Sequence, residues 1–87
     1  EASFLKDLSR LRLSLLLISE NEIDEVREIL NKNFIFFEEL KYEFLGDAEL
    51  KSSNQEAAKK NYETALELTS SEIHKELIKI KLSSIIN

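Results

Sequence analysis

Apolar residues recur at steps of three and four along most of this chain of 87 residues, and the spacing predicts five helices. The first, from about Ala2 to Ser19, sets Leu8, Leu11, Leu15 and Ile18 on one stripe, which Leu13, Leu16 and Leu17 widen almost to the full circumference. A helix apolar nearly all round must be covered on two sides. The second, from about Glu22 to Asn31, is short and one-sided, with Ile23, Val26, Ile29 and Leu30 on its apolar face; Asn21 is its expected N-cap, with Asp24 three residues on. The third runs from about Phe34 to Lys51, with Phe37, Leu40 and Phe44 on one stripe and Tyr42, Leu45 and Leu50 on another. The fourth, from about Asn54 to Thr69, opens with a Ser53–Glu56 capping box and repeats Ala58, Tyr62 and Ala65 at four and three. The fifth, from about Ser71 to Ile86, has Ile73, Leu77 and Ile80 on one line and Ile78, Leu82 and Ile85 on another. Turns of three or four residues between these segments predict antiparallel neighbours.

One Gly and no Pro deprive the chain of the residues that punctuate hairpins and sheets, which strengthens an all-α reading. Twelve Lys plus Arg against 17 Asp plus Glu give a net charge of −5, so the excess cationic charge that a nucleic-acid partner needs is missing. The absence of Cys excludes disulfides, thiolate zinc sites and Cys nucleophiles. The apolar run Leu15 to Ile18 is far below the roughly 18 to 20 residues that cross a bilayer. A start at Glu1 and the lack of any Met lead us to expect a piece of a longer polypeptide, with room for an anchor or targeting sequence upstream.

Self-comparison turns a generic bundle into a tandem array. A shift of 32 residues places Leu13 on Leu45, Ser14 on Gly46, Ile18 on Leu50, Asn21 on Ser53, Val26 on Ala58 and Leu30 on Tyr62. Two helix-turn-helix units follow, at about 7–38 and 39–70, with a closing helix at about 71–86. In the second unit Tyr42, Leu45, Gly46, Ala58, Tyr62 and Ala65 resemble the tetratricopeptide repeat, whose period is roughly 34 residues. Small residues at 46 and 58 let two helices touch, and Tyr62 fills the base of the pair. Glu49 and Ser70 depart from the pattern, which prefers an aromatic and a Pro there, and the first unit keeps only Leu13, Ser14 and Val26.

The order of a leucine-rich opening helix, a degenerate repeat, the aromatic link Phe34 to Phe37, the Leu45-Gly46-Asp47 repeat and a closing helix with Ile78-Lys79-Ile80-Lys81-Leu82 resembles the C-terminal part of the YfgM-like family, the ancillary tetratricopeptide subunit of the bacterial Sec translocon. That resemblance implies an N-terminal membrane anchor outside this segment and a soluble repeat domain on the periplasmic face of the inner membrane. Its implied partners are the translocon and a membrane-anchored periplasmic chaperone of the prolyl isomerase type.

Material for catalysis is thin. His74 is the single imidazole, and Glu72 and Glu76 lie two residues away, off its helix face, so a surface or boundary histidine is expected. Glu20, Glu22, Asp24 and Glu25 gather at the start of the second helix, where the macrodipole favours negative charge; a cation or basic partner is the functional alternative. No phosphate loop or calcium loop is written in the sequence. We therefore expect no catalytic residue, metal or cofactor, and not an enzyme.

The aromatic group Phe34, Phe36, Phe37 and Phe44 either fills the joint between repeats or, with Phe36 and Phe37 foremost, anchors a protein partner. Leu8, Leu11 and Leu15 project toward the concave side of such an array, either as partner contacts or as the face of a lost upstream helix. At the places where one repeat subclass clamps a terminal carboxylate stand Leu11 and Leu15 in the first unit and Glu43 and Asp47 in the second. Carboxylates repel a carboxylate, so an apolar or basic segment is the better ligand. The expected function is non-enzymatic protein binding; the alternatives are a self-association piece, a homo-oligomer whose first helix pairs with a second copy, or a regulatory repeat module of a larger enzyme.

Overall fold

Leu17 to Glu22 and Glu49 to Asn54 make the same turn, 32 residues apart, and this local event fixes how each helical hairpin folds back. In a computed structural model describing residues 2–85, Asn21 and Ser53 are left-handed, at φ 62° and 66°. The Glu22 N–H donates to the Leu17 carbonyl and the Asn54 N–H to the Glu49 carbonyl, both at 2.8 Å, while Asn21 and Ser53 donate to Ile18 and Leu50, both at 3.0 Å. That pair of bonds is the Schellman arrangement, which satisfies carbonyls at a helix end. Asn21 and Ser53 therefore finish the preceding helices instead of capping the next ones, as the sequence pattern suggested. The caps shift by one residue to Glu22, which makes no side-chain capping bond, and to Asn54, whose side chain accepts from the Ala57 N–H.

Among the described residues the elements are five helices: α1 (Ala2–Ser19), α2 (Ile23–Leu30), α3 (Glu38–Lys51), α4 (Gln55–Leu68) and α5 (Glu72–Ser83). The expected end of the fifth helix at Ile86 lies outside the described residues. The hairpins α1–α2 and α3–α4 stack through α3, which packs on both α1 and α2, and α5 packs on α4. The result is a flat body of 40 × 30 × 17 Å. One core cluster joins Leu11, Ile23, Val26 and Leu30 of the first hairpin to Leu45 and Ala48 of α3. A second joins Ala58, Tyr62 and Ala65 of α4 to Ile78 and Ile85, with Tyr42 and Leu50 of α3 against it.

The third helix begins four residues later than its periodicity suggests, at Glu38. The cause is Asp7, a buried carboxylate on α1 whose Oδ2 accepts the N–H groups of Ile35 at 2.9 Å and Phe36 at 2.8 Å. Phe37 then takes a left-handed conformation, φ 62°, and α3 starts behind it. The link between α2 and α3 is thus longer than the turns expected from the pattern.

Polar groups tie the stack together. Arg27 of α2 makes a two-pronged contact with Glu49 of α3, Nε to Oε2 at 2.9 Å and Nη2 to Oε1 at 2.8 Å, and also reaches Asp24. The Glu49 hydrogen bonds raise the Arg27 pKa, and Arg27 in turn holds Glu49 below the ordinary carboxylate range. Lys51 donates to the Ile18 carbonyl at 2.7 Å, placing a cation at the C-terminal end of α1 where the helix dipole favours it.

Candidate partner-binding surface

The aromatic link is built on Asp7. With the N–H groups of Ile35 and Phe36 fixed, the ring of Phe36 stands 5.6 Å from that of Phe4 and 6.4 Å from that of Phe37, and Phe37 stands 5.2 Å from Phe4. Edge-to-face and tilted contacts at these separations are favourable. Phe36 and Phe37 are half-buried, Phe4 retains 38% of its surface and Ile35 retains 73%, so the patch is held from beneath and open above. Backbone bonds from Phe36 and Ile35, reinforced by Arg10 and Lys6 and opposed by burial, keep Asp7 ionised below the usual aspartate range. Phe34, also half-buried, lies between the Arg10 guanidinium at 5.8 Å and the Lys41 ammonium at 5.5 Å, and Phe44 packs against the first core cluster.

The three leucines of α1 part company. Leu11 is 3% exposed and belongs to the core, so it offers nothing to a partner; Leu8 is half-buried; Leu15 is 49% exposed. They therefore do not form one continuous contact stripe. The reason is the inward pull of α2, whose Ile23, Val26 and Leu30 enclose Leu11.

The residues of the repeat pattern meet at the α3–α4 crossing. Leu45, Gly46, Ala58, Tyr62 and Ala65 are buried and Tyr42 is half-buried. Tyr62 lies flat over Gly46, and its hydroxyl donates to Asp47 Oδ1. Burial, then the Asp47 hydrogen bond, pushes the phenol pKa well up, so Tyr62 stays protonated.

Glu43 and Asp47, the two carboxylates that the sequence sets at the clamp positions of the second unit, are already engaged from within. Lys81 of α5 reaches Glu43 Oε2 at 2.7 Å and Asp47 Oδ1 at 3.0 Å, and His74 Nε2 lies 2.7 Å from Glu43 Oε1. The other ring nitrogen, Nδ1, is 2.9 Å from the Thr69 hydroxyl. His74 is thus a boundary histidine, within the surface-or-boundary expectation, and its two ring contacts make it a positioning group for α5. Burial disfavours the charged form of Glu43, but the hydrogen bonds and charges of His74 and Lys81 outweigh it and leave its pKa lowered. For Lys81 burial is likewise outweighed, by Glu43 and Asp47, and its pKa is raised. Spacing along one helix could not reveal this clasp, because its partners are 31 to 38 residues apart. A readable signal existed in an acidic i, i+4 pair on one helix, Glu43 and Asp47, and a basic i, i+7 pair on another, His74 and Lys81, each on one helical face.

Glu20, Glu22, Asp24 and Glu25 stay exposed at the start of α2, and Asp24 pairs with Arg27. Among the described residues no group of three His, Cys, Asp or Glu side chains is placed to hold a metal ion, and no helix is long and apolar enough to cross a membrane. What the arrangement offers is a stack of rigid helices with one braced aromatic patch, a geometry suited to contacting another protein.

No curated protein and no solved structure matches the chain significantly. The family description of a tetratricopeptide repeat-like domain, in contrast, fits residues 1–87, and this chain of stacked helical hairpins belongs to that family.

Proposed function

We propose that this chain is a non-enzymatic protein-binding module whose contact surface centres on Phe36 and Phe37, flanked by Phe4 and Ile35, with Leu8 and Leu15 of α1 as separate candidate contacts. The tetratricopeptide repeat-like fold suggests a protein partner in general terms. The observation that carries the choice of surface is the bond of Asp7 to two N–H groups of the link, which pre-organises the rings. Aromatic side chains already held in place lose little freedom on binding and make efficient anchors.

The finer reading follows the resemblance of the segment order to the YfgM-like family. In that reading the module stands on the periplasmic face of the bacterial inner membrane and links the Sec translocon to a prolyl isomerase-type chaperone. Glu43 and Asp47 are occupied by Lys81 of α5, so the aromatic link is a better contact for these partners than those two carboxylates. The test is co-purification of translocon subunits from solubilised bacterial envelope on the immobilised chain, alongside thermal melts. Phe36→Ala with Phe37→Ala should weaken capture more than it lowers the melting temperature, although Phe37 also packs against the first core cluster. Failure to capture translocon subunits removes the finer reading, and equal loss of capture and stability returns both rings to a packing role.

A further inference from the structure

The two stacking joints of the array, α1 to α3 and α3 to α5, are built from different chemistry. A shift of 32 residues carries Leu11 of α1 onto Glu43 of α3, and a shift of 33 carries Leu45 and Ala48 of α3 onto Ile78 and Lys81 of α5. Burial supports the longer shift for α5, since Leu45 and Ile78 are both buried while Leu77, the residue before Ile78, is 52% exposed. At the first joint Leu11 and Ala48 lie in one apolar core cluster. At the second joint the equivalent positions hold a carboxylate and an ammonium, Glu43 and Lys81, with Nζ 2.7 Å from Oε2.

Among the described residues, every hydrogen bond between α3 and α5 ends on Glu43 or Asp47. The apolar anchors of the fifth helix, Ile78 and the following Ile85, share their core cluster with Ala58, Tyr62 and Ala65 of α4, and α3 adds only the half-buried Tyr42 and Leu50. The first joint has an ion pair as well, Arg27 with Glu49, but there the buried Leu45 and Ala48 of α3 join the cluster of Leu11. Thus α5 is seated on α4 by burial and held against α3 by charge. Water reaches that charge, for the Lys81 and Asp47 side chains keep 35% and 27% of their surface. Ion pairs open to solvent weaken as salt rises, whereas apolar burial does not depend on charge.

We infer that the contact of α5 with α3 is an ionic hinge: when the pairs on Glu43 and Asp47 are weakened, α5 swings away from α3 about its apolar seat on α4, while α1 to α4 keep their arrangement. The small rotation between successive units sets the curvature of a helical array, so the hinge lets ionic conditions change that curvature at the second unit without unfolding a helix. The device is independent of the aromatic patch, which stands on α1 and the link before α3.

Because the chain has no Cys, spin labels on introduced cysteines can measure both joints. Glu38→Cys with Glu72→Cys spans α3 and α5, and Ser9→Cys with Glu38→Cys spans α1 and α3; all three positions are exposed. Between low salt and about 1 M salt, where the screening length falls to roughly 3 Å, the α3–α5 distance should lengthen and its distribution broaden while the α1–α3 distance holds and helical circular dichroism is unchanged. Lys81→Glu, which sets like charges against Glu43 and Asp47, should give the open distribution already at low salt. Glu43→Leu with Lys81→Ala, which writes the first joint's residues into the second, should stay closed in both. An α3–α5 distance indifferent to salt or to Lys81→Glu, an equal change across both joints, a loss of helical signal in high salt, or opening of the Glu43→Leu, Lys81→Ala variant overturns the inference; the equal change would mean that the whole stack loosens together.

Discussion

Tyr62 lies across Gly46 so closely that a β-carbon at position 46 would stand 2.6 Å from two carbons of its ring. The glycine is helical with negative φ, so size and not backbone freedom is what the site demands. The ring has no easy retreat, since it is buried among Ala58, Ala65 and Ile78 and its hydroxyl is held by Asp47. Gly46→Ala should therefore destabilise the fold by about 1–2 kcal/mol, because overpacking costs roughly 1–3 kcal/mol and alanine recovers up to about 1 kcal/mol of helix propensity. Urea unfolding measures it; an unchanged or raised midpoint would show that the ring moves freely.

Acid should loosen α5 first. Glu43 has a lowered pKa in the folded chain, so the unfolded chain binds more protons in acid, and its contribution is present above the ordinary glutamate value and lost as the pH falls below about 4.3. Glu49 has the same sign through Arg27. Lys81 acts in the opposite sense: its raised pKa gives stability that is present below the ordinary lysine value and lost as the pH rises past about 10.4. Melting temperature plotted against pH should fall at both ends, and Glu43→Gln should flatten the acid limb. An acid limb of the same depth in that variant would remove Glu43 from the account.

The left-handed turn residues offer a gain. Ser53 sits at φ 66°, is exposed, and its hydroxyl makes no hydrogen bond among the described residues, so glycine there removes a steric cost without removing a contact. Ser53→Gly should stabilise by up to about 1 kcal/mol, the relief of the left-handed conformation less the extra entropy of an unfolded glycine. Asn21→Gly, at the equivalent turn, should give less, since asparagine tolerates this region better than serine. Melting temperatures of the two variants rank the effect.

Much of this architecture could be read from the chain because it rests on local rules. Three- and four-residue spacing located the five helices, and the 32-residue shift paired Asn21 with Ser53 at turns that share backbone geometry. What escaped was set by contacts between distant residues. Lys41, Glu43 and Glu49 are charged yet buried on α3, because Lys32, His74, Lys81 and Arg27 approach from other segments. On α5 the pattern held two apolar lines of equal quality, and only packing chose Ile78 and Ile85 for the core while leaving Ile73, Leu77 and Ile80 outside. Phe34 to Phe37 carry a helical pattern, but a carboxylate 28 and 29 residues upstream captures two N–H groups of that run and delays the helix.

That carboxylate supplies the most direct check on the proposed surface. In Asp7→Asn the amide oxygen still accepts, but it carries no charge, and the NH2 group that replaces the other oxygen brings two donors into a buried site built for an acceptor. The Ile35 and Phe36 amides, bonded to Oδ2 in the folded chain, should then exchange with solvent at least an order of magnitude faster, whereas amides within α4, which Asp7 does not touch, should keep their rates. If a rigid link is what presents the rings, partner capture should fall in Asp7→Asn although Phe36 and Phe37 are both intact. Faster exchange at Ile35 and Phe36 with full capture would mean that the rings bind equally well from a mobile link, and that their fixed arrangement contributes nothing to recognition.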